Sequence, residues 1–246
     1  MKVTIFLLCY NEEVLLPHTL KHYKNKFPKA HFVLVDNHST DASCSIAKEN
    51  GMEIRSFDTC DIQCERIIMH IRNTIWNDTD GWIIMCDMDE WLDISEDELI
   101  EEDENGTTII TTMGFNIVGD SKTIDLCDVD LCCMNKGYWD ESFSKRVLFK
   151  APDVSIHFWW GAHQCFPTGN IKYSEKKYTL KHYNYLGENY LLHKHTIRYD
   201  RNEYSRTIGM NGHYSNDRQK VIDMYNNVYQ SRIEYFCEEF KKGIFI

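Results

Sequence analysis

Four short strand-like segments alternate with helix-like segments over the first 90 residues, and this alternation constrains the fold most. They are 3–9, 31–35, 52–57 and 82–86, and all but 52–57 are predominantly apolar. Between them, Pro17 suits the first turn of a helix, Gly51 suits a helix end, and isoleucines recur at helical spacing over 67–75. Continuous apolar strands separated by helices are typical of parallel sheets that are covered on both faces. The sequence therefore predicts an α/β fold with a mostly parallel central sheet and flanking helices.

Polar residues follow each of the four predicted strands. The groups, in chain order, are Tyr10-Asn11-Glu12, Asp36-Asn37, Asp58 with Asp61, and Asp87-Met88-Asp89-Glu90. The carboxyl ends of parallel strands lie at one edge of a sheet, and ligands of such folds bind there. We therefore expect these groups to meet at a common binding site.

The charge and hydropathy of the chain argue against two classes of partner. The 246 residues include 27 Lys and Arg against 38 Asp and Glu, and the net charge of −11 leaves no broad basic face for nucleic acid. The longest apolar stretch, 3–9, is far shorter than the roughly 20 residues that cross a bilayer. We expect no transmembrane segment and a cytoplasmic location, at most peripheral to a membrane. The ten cysteines are expected to be reduced thiols, since several lie in apolar strand-like runs.

The segment 82–91 carries the strongest chemical signal. A buried strand is followed by Asp87 and Asp89, and residues two apart in an extended segment project to the same side. Two such carboxylates can share one Mg²⁺ or Mn²⁺, which is commonly completed by water and phosphate oxygens. This pattern predicts a nucleotide diphosphate ligand. The alternative is an acidic turn that merely ends a strand.

Three motifs together resemble one family. Leu8-Cys9-Tyr10-Asn11-Glu12-Glu13, the turn 35–41 and Asp87-Met88-Asp89-Glu90 resemble the nucleotide-sugar-binding half of GT-A glycosyltransferases of the family-2 type. The element Lys181-His182-Tyr183 is similar to one found in a branch with an Asp-x-Asp-Glu motif. The resemblance implies a single GT-A domain over 1–246. Residues 1–95 would bind the nucleotide sugar, 105–190 would form the acceptor and catalytic half, and 190–246 would form a C-terminal helical cap.

The resemblance also implies a set of donor-binding residues. Those expected at the base, the ribose or the phosphates are Tyr10, Asn11, Glu12, Asp36, Asn37, Arg72, Asn73 and Asp87. An Asx turn with a helix cap is the alternative for 36–39. A solvated helix face is the alternative for Arg72 and Asn73.

Metal ligands and a general base complete the implied site. Asp87 and Asp89 would hold the metal with a downstream histidine, for which His163 and His182 are the main candidates. An inverting transferase needs a carboxylate that takes the acceptor proton, and we expect Asp140 or Glu141 in that role. Glu90, beside the metal pair, is expected to support the metal ligands or to contact the donor sugar rather than to act as the base. The following Ser144-Lys145-Arg146 leave open a second reading, in which the segment is a strand that contacts phosphate and Asp140 is a turn residue.

The sequence thus predicts a metal-dependent glycosyltransferase that uses Mn²⁺ or Mg²⁺. It would move a sugar from a nucleotide diphosphate donor, favoured as a UDP-sugar, to a hydroxyl of a glycan or glycoconjugate, with inversion. Two alternatives remain open at this point. One is a catalytically degenerate nucleotide-sugar-binding module, and the other is a sugar nucleotidyltransferase, which would require a Gly-rich basic loop in place of 10–13.

Overall fold

A mixed sheet of ten strands forms the centre of the molecule, with helices on both faces. The computed structural model describes residues 1–119, 126, 129–207 and 212–234. Residues 208–211 and 235–246 of the expected C-terminal cap lie outside the described residues. The predicted α/β fold with a mostly parallel central sheet is confirmed.

The first half of the chain has the predicted alternation. Its elements are β1 (Val3–Cys9), α1 (Leu16–Lys26), β2 (His31–Asp36), α2 (Ser43–Glu49), β3 (Glu53–Ser56), α3 (Glu65–Thr74) and β4 (Gly81–Asp87). The four strands run parallel in the order β3-β2-β1-β4, and each ends within one residue of its predicted limits.

Strand β1 is buried on both faces, as its unbroken apolar sequence requires. Ile5 and Leu7 belong to a core that α1 covers, whereas Phe6 belongs to a second core on the opposite face that includes Trp76. Alternate residues of a strand point to opposite faces, so one strand contributes to both cores. The apolar face of α1 includes Leu20 as expected.

The second half extends the sheet with mostly antiparallel strands. Its elements are β5 (Glu90–Asp93), α4 (Glu96–Glu104), β6 (Ile109–Val118), β7 (Lys136–Trp139), β8 (Leu148–Ala151), β9 (Val154–Phe158), β10 (Cys165–Gly169), β11 (Tyr173–Tyr185), α5 (Glu188–Arg201), α6 (Glu203–Thr207), α7 (Arg218–Ser231) and β12 (Ile233–Glu234). The strand order is β12-β7-β6-β8-β4-β1-β2-β3, and β11 joins both β6 and β5. Strands β9 and β10 form a separate hairpin.

The Tyr-rich sequence around His182 forms the long strand β11. It pairs in parallel with β6 and antiparallel with β5, with Leu180 fully buried and His182 opposite Glu90. Tyrosine and threonine pack well on a half-buried sheet, which explains why a Tyr-rich segment extends into a strand. The pairing brings His182 to the motif that follows β4.

Helix α2 begins at Ser43, and Ala42 occupies its N-cap position. The carboxylate of Asp41 accepts hydrogen bonds from the Ser43 amide at 2.9 Å and from the Glu13 amide at 2.9 Å. Asp41 therefore ties the loop after β1 to the start of α2. Gly51, at φ +74°, ends the helix as predicted.

Among the described helices, none has the length and apolarity needed to cross a membrane. The eight cysteines in the described ranges are all free thiols.

Candidate functional site

The loops that follow β1 and β2 are joined at the carboxyl edge of the sheet, as expected. The amide of Thr40 donates to Asn11 Oδ1 at 2.7 Å, and the amide of Asn11 donates to Ser39 Oγ at 2.9 Å. Asp36 accepts from the Ser39 amide at 3.3 Å, three residues further along, which closes the loop 36–39 without the bond to the second amide that defines an Asx turn. The two loops thus form one wall of the candidate site.

A tight turn follows β4 and separates the directions of Asp87 and Asp89. The carbonyl of Met88 accepts hydrogen bonds from Thr19 Oγ1 at 2.9 Å and from Trp91 Nε1 at 3.1 Å, which fixes a turn between β4 and β5. The expectation that both carboxylates project from an extended segment was therefore wrong. The two carboxylates face different groups of side chains.

Asp87 and Glu90 share the ammonium of a buried lysine. Lys145 Nζ lies 3.3 Å from Asp87 Oδ2 and contacts Glu90 Oε1. Arg72 Nη2 lies 2.6 Å from Asp87 Oδ1. Burial acts to raise the pKa of Asp87, but Arg72 and Lys145 together hold it well below its usual value.

Arg72 is buried rather than part of a solvated helix face. Its Nη2 is engaged by Asp87, and its buried Nη1 has no hydrogen-bond partner in the described part of the chain. An unsatisfied buried donor of this kind costs free energy unless a ligand accepts from it. Arg72 is therefore suited to bind an anion at the site.

Asp89 lies between a lysine and a histidine. Its Oδ2 contacts Lys194 Nζ and lies 3.3 Å from His182 Nε2. Burial acts to raise the pKa of Asp89, and the charges of Lys194 and His182 instead hold it well below its usual value. Asp89, Lys194 and His182 are all buried.

A chain of hydrogen bonds orients the imidazole of His182. Asn116 Nδ2 donates to Asp140 Oδ2 at 3.1 Å, so Asn116 Oδ1 is left to accept from His182 Nδ1 at 2.6 Å. A carboxylate only accepts hydrogen bonds, which fixes the orientation of the amide and places the proton on Nδ1. Nε2 of His182 is thereby directed at Asp89 in a position to bind a cation, in the manner of metal-bound histidines.

The donor atoms of Asp89, Glu90 and His182 fit a divalent cation. One ligand atom from each lies within 4.8 Å of the others, and two carboxylates with one imidazole suit Mn²⁺ or Mg²⁺. Asp87 lies next to this cluster but is turned to Arg72 and Lys145. The buried lysines now occupy the carboxylates, so a cation would have to take their place.

Helix α5 contributes a stripe of side chains that covers the site. Tyr190, Lys194, Arg198 and Arg201 recur at intervals of four, four and three residues and therefore share one helix face. Arg201 Cζ lies 3.3 Å from the centre of the Tyr10 ring. We did not single out Lys194 from the sequence, although this helical spacing of cations was a usable signal.

Glu12 lies near the cations of α5. Burial and the carboxylate of Asp89 raise the pKa of Glu12 to about 7, although Lys194 and Arg198 act in the opposite direction. Tyr10, two residues earlier, donates through its hydroxyl to Asp61 Oδ1 at 2.5 Å. Both predicted donor-binding residues therefore face the covered edge of the sheet.

Asn37 and Asn73 use their amides within the protein. Asn37 Nδ2 donates to Thr59 Oγ1 at 2.9 Å, and its Oδ1 accepts from the Thr59 amide at 3.1 Å. Asn73 Nδ2 donates to the Phe158 carbonyl at 3.0 Å, and its Oδ1 accepts from the Phe158 amide at 2.6 Å. The two side chains thus hold the backbone of Thr59 and of Phe158 in place next to the site.

The candidate bases lie on a turn at 140–143 beside His182, and His163 contacts this turn from the segment 160–163. Asp140 Oδ1 accepts from the amide and the hydroxyl of Ser142, at 3.0 and 2.6 Å, and Glu141 is exposed. The ring of Phe143 stacks on His182, with centroids 4.1 Å apart, and contacts His163 at 5.1 Å. His163 is thus separated from the cluster of Asp89, Glu90 and His182 by this phenyl ring.

Comparison with known proteins gives similarity at the level of structure. No protein-family model matches the chain, and no curated protein sequence matches it. Similar solved structures include S. aureus TarS, at 13% identity and TM-score 0.48, covering 93% of this chain and 49% of that one. TarS 1-349 in complex with UDP-GlcNAc is similar at 12% identity and TM-score 0.45, covering 94% and 73%.

The mannosyltransferase PcManGT from Pyrobaculum calidifontis, in complex with GDP-Man and Mn²⁺, is similar at 16% identity and TM-score 0.35. That similarity covers 45% of this chain and 34% of the PcManGT chain. The chain thus spans about half the length of TarS and a third of PcManGT. These identities are low, so we argue the function from the side chains of the site.

Proposed function

We propose that this protein is a glycosyltransferase that uses a divalent cation and a nucleotide diphosphate sugar, with a uridine nucleotide favoured. The sugar would pass to a hydroxyl of a glycan or glycoconjugate with inversion. The observation that carries this proposal is the cluster of buried acids and bases at the carboxyl edge of the sheet, between β4, β11 and α5.

The charges of this cluster are balanced when Glu12, whose pKa is raised to about 7, is ionised. The acids are Glu12, Asp87, Asp89 and Glu90, and the bases are Arg72, Lys145, Lys194 and Arg198. A divalent cation and a diphosphate with two negative charges can enter together and leave the total unchanged. Either one alone would leave buried charge uncompensated, which is costly. The site therefore suits a metal and a diphosphate as a pair.

The proposed roles follow from position. Asp89, Glu90 and His182 would hold the cation, with Asp87 beside them. A cation bound there would act as a Lewis acid that stabilises the negative charge of the departing diphosphate. The ammonium groups of Lys145 and Lys194 would move from the carboxylates to the phosphate oxygens.

The base and ribose would lie against the loops after β1 and β2. Tyr10 and Asn11 border this region from β1, and Asp36 with Asn37 borders it from β2. Arg201 covers the Tyr10 ring and would be displaced by, or stack on, the nucleotide base.

Glu141 is the better of the two candidate bases. Both oxygens of Asp140 accept hydrogen bonds within the protein. The carboxylate of Glu141 is exposed and accepts no hydrogen bond from the described residues. We therefore propose that Glu141 takes the proton of the acceptor hydroxyl. Asp140 would position the Asn116 side chain and the turn.

The free thiols in the described ranges support a cytoplasmic location, since the cytosol keeps cysteines reduced. The loop after β1 does not favour a nucleotidyltransferase, because residues 10–13 contain two glutamates and no glycine. No observation in the described part of the chain favours a degenerate binding module. Measured turnover of a donor would distinguish an enzyme from such a module.

The testing experiment is a thermal-shift panel of UDP- and GDP-sugars with and without Mn²⁺, followed by measurement of nucleotide release. A ligand at about 100 times its Kd adds roughly 2.7 kcal/mol of stability. We expect one donor to stabilise the protein only with Mn²⁺ and to be turned over. Binding without turnover, for every acceptor and for water, would instead identify a binding module.

A further inference from the structure

A cavity of about 440 Å³ lies on the far side of Phe143 from His182. Its lining includes Arg146, His163, Gln164, Phe166 and Tyr173. None of the proposed donor or metal contacts uses this space.

The wall between this cavity and the charged cluster is the tightly turned segment 144–146, in which the amide of Lys145 donates to the Phe143 carbonyl at 2.8 Å. Lys145 contacts Glu90 and Asp87, and its neighbours Ser144 and Arg146 line the cavity. The cavity is therefore separated from the proposed cation ligands by a single layer of protein.

The turn that carries the proposed base forms the rim of the cavity. His163 Nδ1 lies 2.6 Å from the Ser142 carbonyl and donates to it, which leaves Nε2 as an acceptor. One phenyl ring, that of Phe143, separates His163 from His182. A saccharide in the cavity would therefore lie next to the turn that carries Glu141.

Two of the lining rings are unusually exposed for aromatic residues. Phe166 is 57% exposed and Tyr173 is 43% exposed. Rigid aromatic rings that line a concave surface bind the apolar face of a ligand at little cost in conformational entropy. A sugar ring has such a face, together with hydroxyls that Gln164 and His163 can bind.

Arg146 favours a ligand that carries a negative charge. Its Nη1 donates to the Ser144 carbonyl at 2.8 Å, and its Cζ lies 5.8 Å from the Tyr173 ring. No carboxylate of the described residues pairs with it. A guanidinium that is held by a backbone carbonyl and an aromatic ring, with its remaining donors unused, is suited to bind a carboxylate or a phosphate through two hydrogen bonds.

We propose that this cavity binds the acceptor, and that the acceptor is a saccharide that bears a phosphate or a carboxylate group. Arg146 binds the anion, Phe166 and Tyr173 stack on the sugar, and the accepting hydroxyl lies beside Glu141. The inference rests on the proposed sugar transfer for its biological meaning, and the binding of anionic sugars can be measured without any donor. It also gives His163 an acceptor-side position in place of the metal role that we expected from the sequence.

The test is binding of glucose 6-phosphate, glucuronate and glucose by ligand-observed NMR. It uses the wild type, R146Q, F166A and R218Q. The last variant is the matched control, because Arg218 is exposed at the start of α7 and its substitution removes the same charge. We expect at least one anionic sugar to bind about tenfold or more tightly than glucose, which is the scale of one charged hydrogen-bond pair.

R146Q should remove the preference for an anionic sugar over glucose, and R218Q should keep it. F166A should weaken the binding of all three sugars. The phosphate and carboxylate probes identify which anion the cavity accepts. Equal binding of anionic and neutral sugars, or a preference that survives R146Q, would overturn the inference.

Donor hydrolysis by the same variants separates the two proposals. R218Q, the control variant, should release UDP from the donor at the wild-type rate when water is the acceptor. If no donor binds or reacts with the wild type, the proposed function fails, and the NMR result still decides whether the cavity takes anionic sugars.

Discussion

Lys194, on α5, holds the carboxylate of Asp89 at the turn after β4, although 105 residues separate the two in sequence. Both side chains are buried. This pair connects the C-terminal helices to the motif that follows the parallel strands. Asp89 is therefore part of the folded structure as well as of the proposed cation site.

Neutralising Asp89 is expected to reduce stability as well as activity. Asp89→Asn leaves Lys194 buried without a full counter-charge, and breaking such a pair costs about 3–5 kcal/mol. The double variant Asp89→Asn/Lys194→Met should regain most of that loss while remaining inactive. Urea unfolding of the wild type and both variants measures the difference. Equal stability of the wild type and Asp89→Asn would show that the pair contributes little to the fold.

Mn²⁺ and UDP are expected to bind cooperatively. Lys145 and Lys194 occupy the carboxylates that a cation needs, and they are released only when phosphate oxygens are present to accept them. Calorimetry should show Mn²⁺ binding at least about tenfold more tightly in the presence of UDP, a coupling of about 1.4 kcal/mol or more. Lys194→Met should strengthen Mn²⁺ binding alone and weaken UDP binding. Independent binding of the two ligands would contradict the exchange of partners.

Truncation of Asn116 is expected to weaken metal binding. The side chain links Asp140 to His182 and directs His182 Nε2 at Asp89. Loss of such an outer partner typically reduces metal affinity by about 10–100-fold. Asn116→Ala should therefore weaken Mn²⁺ binding in the presence of UDP, measured by electron paramagnetic resonance. Thr107→Ala, which removes another buried polar contact far from the site, is the control and should leave the affinity unchanged.

Acid is expected to destabilise the protein through His22, which lies away from the proposed site. Burial lowers the pKa of His22 to about 4, while its Nε2 lies 3.0 Å from the Leu92 carbonyl. Because the folded pKa is below the unfolded value, its stabilisation is present above about pH 6.5 and is lost as the pH falls toward 4.

The free energy of unfolding should therefore decrease by about 2 kcal/mol between pH 7 and pH 4.5 through this residue alone. In His22→Gln the pH dependence should be smaller by that amount. Chemical denaturation at the two pH values provides the measurement. An unchanged slope in the variant would show that His22 titrates normally in the folded protein.

Local sequence patterns were sufficient to predict the parallel half of the fold. Strands β1, β2 and β4 are predominantly apolar runs, and Gly51 marks the end of α2, so neighbours in sequence determine these elements. The polar residues at the strand ends were predictable for the same reason, because strand order follows from the alternation with helices.

Long-range contacts determine what the sequence did not predict. The turn at Met88 depends on hydrogen bonds from Thr19 and Trp91, and it redirects Asp89 away from Asp87. His182 reaches Glu90 only because β11 pairs with β5. The helical spacing of Lys194 with Arg198 and Arg201 marks a cationic helix face but does not identify Asp89 as the partner of Lys194. Partner choice over such distances is not encoded in any local pattern of hydropathy or charge.

Anomalous diffraction at the manganese edge, from crystals grown with Mn²⁺ and UDP, tests the central claim most directly. We expect one strong peak between the carboxylates of Asp89 and Glu90 and Nε2 of His182, bridged to UDP phosphate oxygens, with Lys194 moved off Asp89. The claim would be contradicted if UDP were bound at the carboxyl edge of the sheet with no manganese there. It would also be contradicted if manganese were at another location while Lys194 still held Asp89.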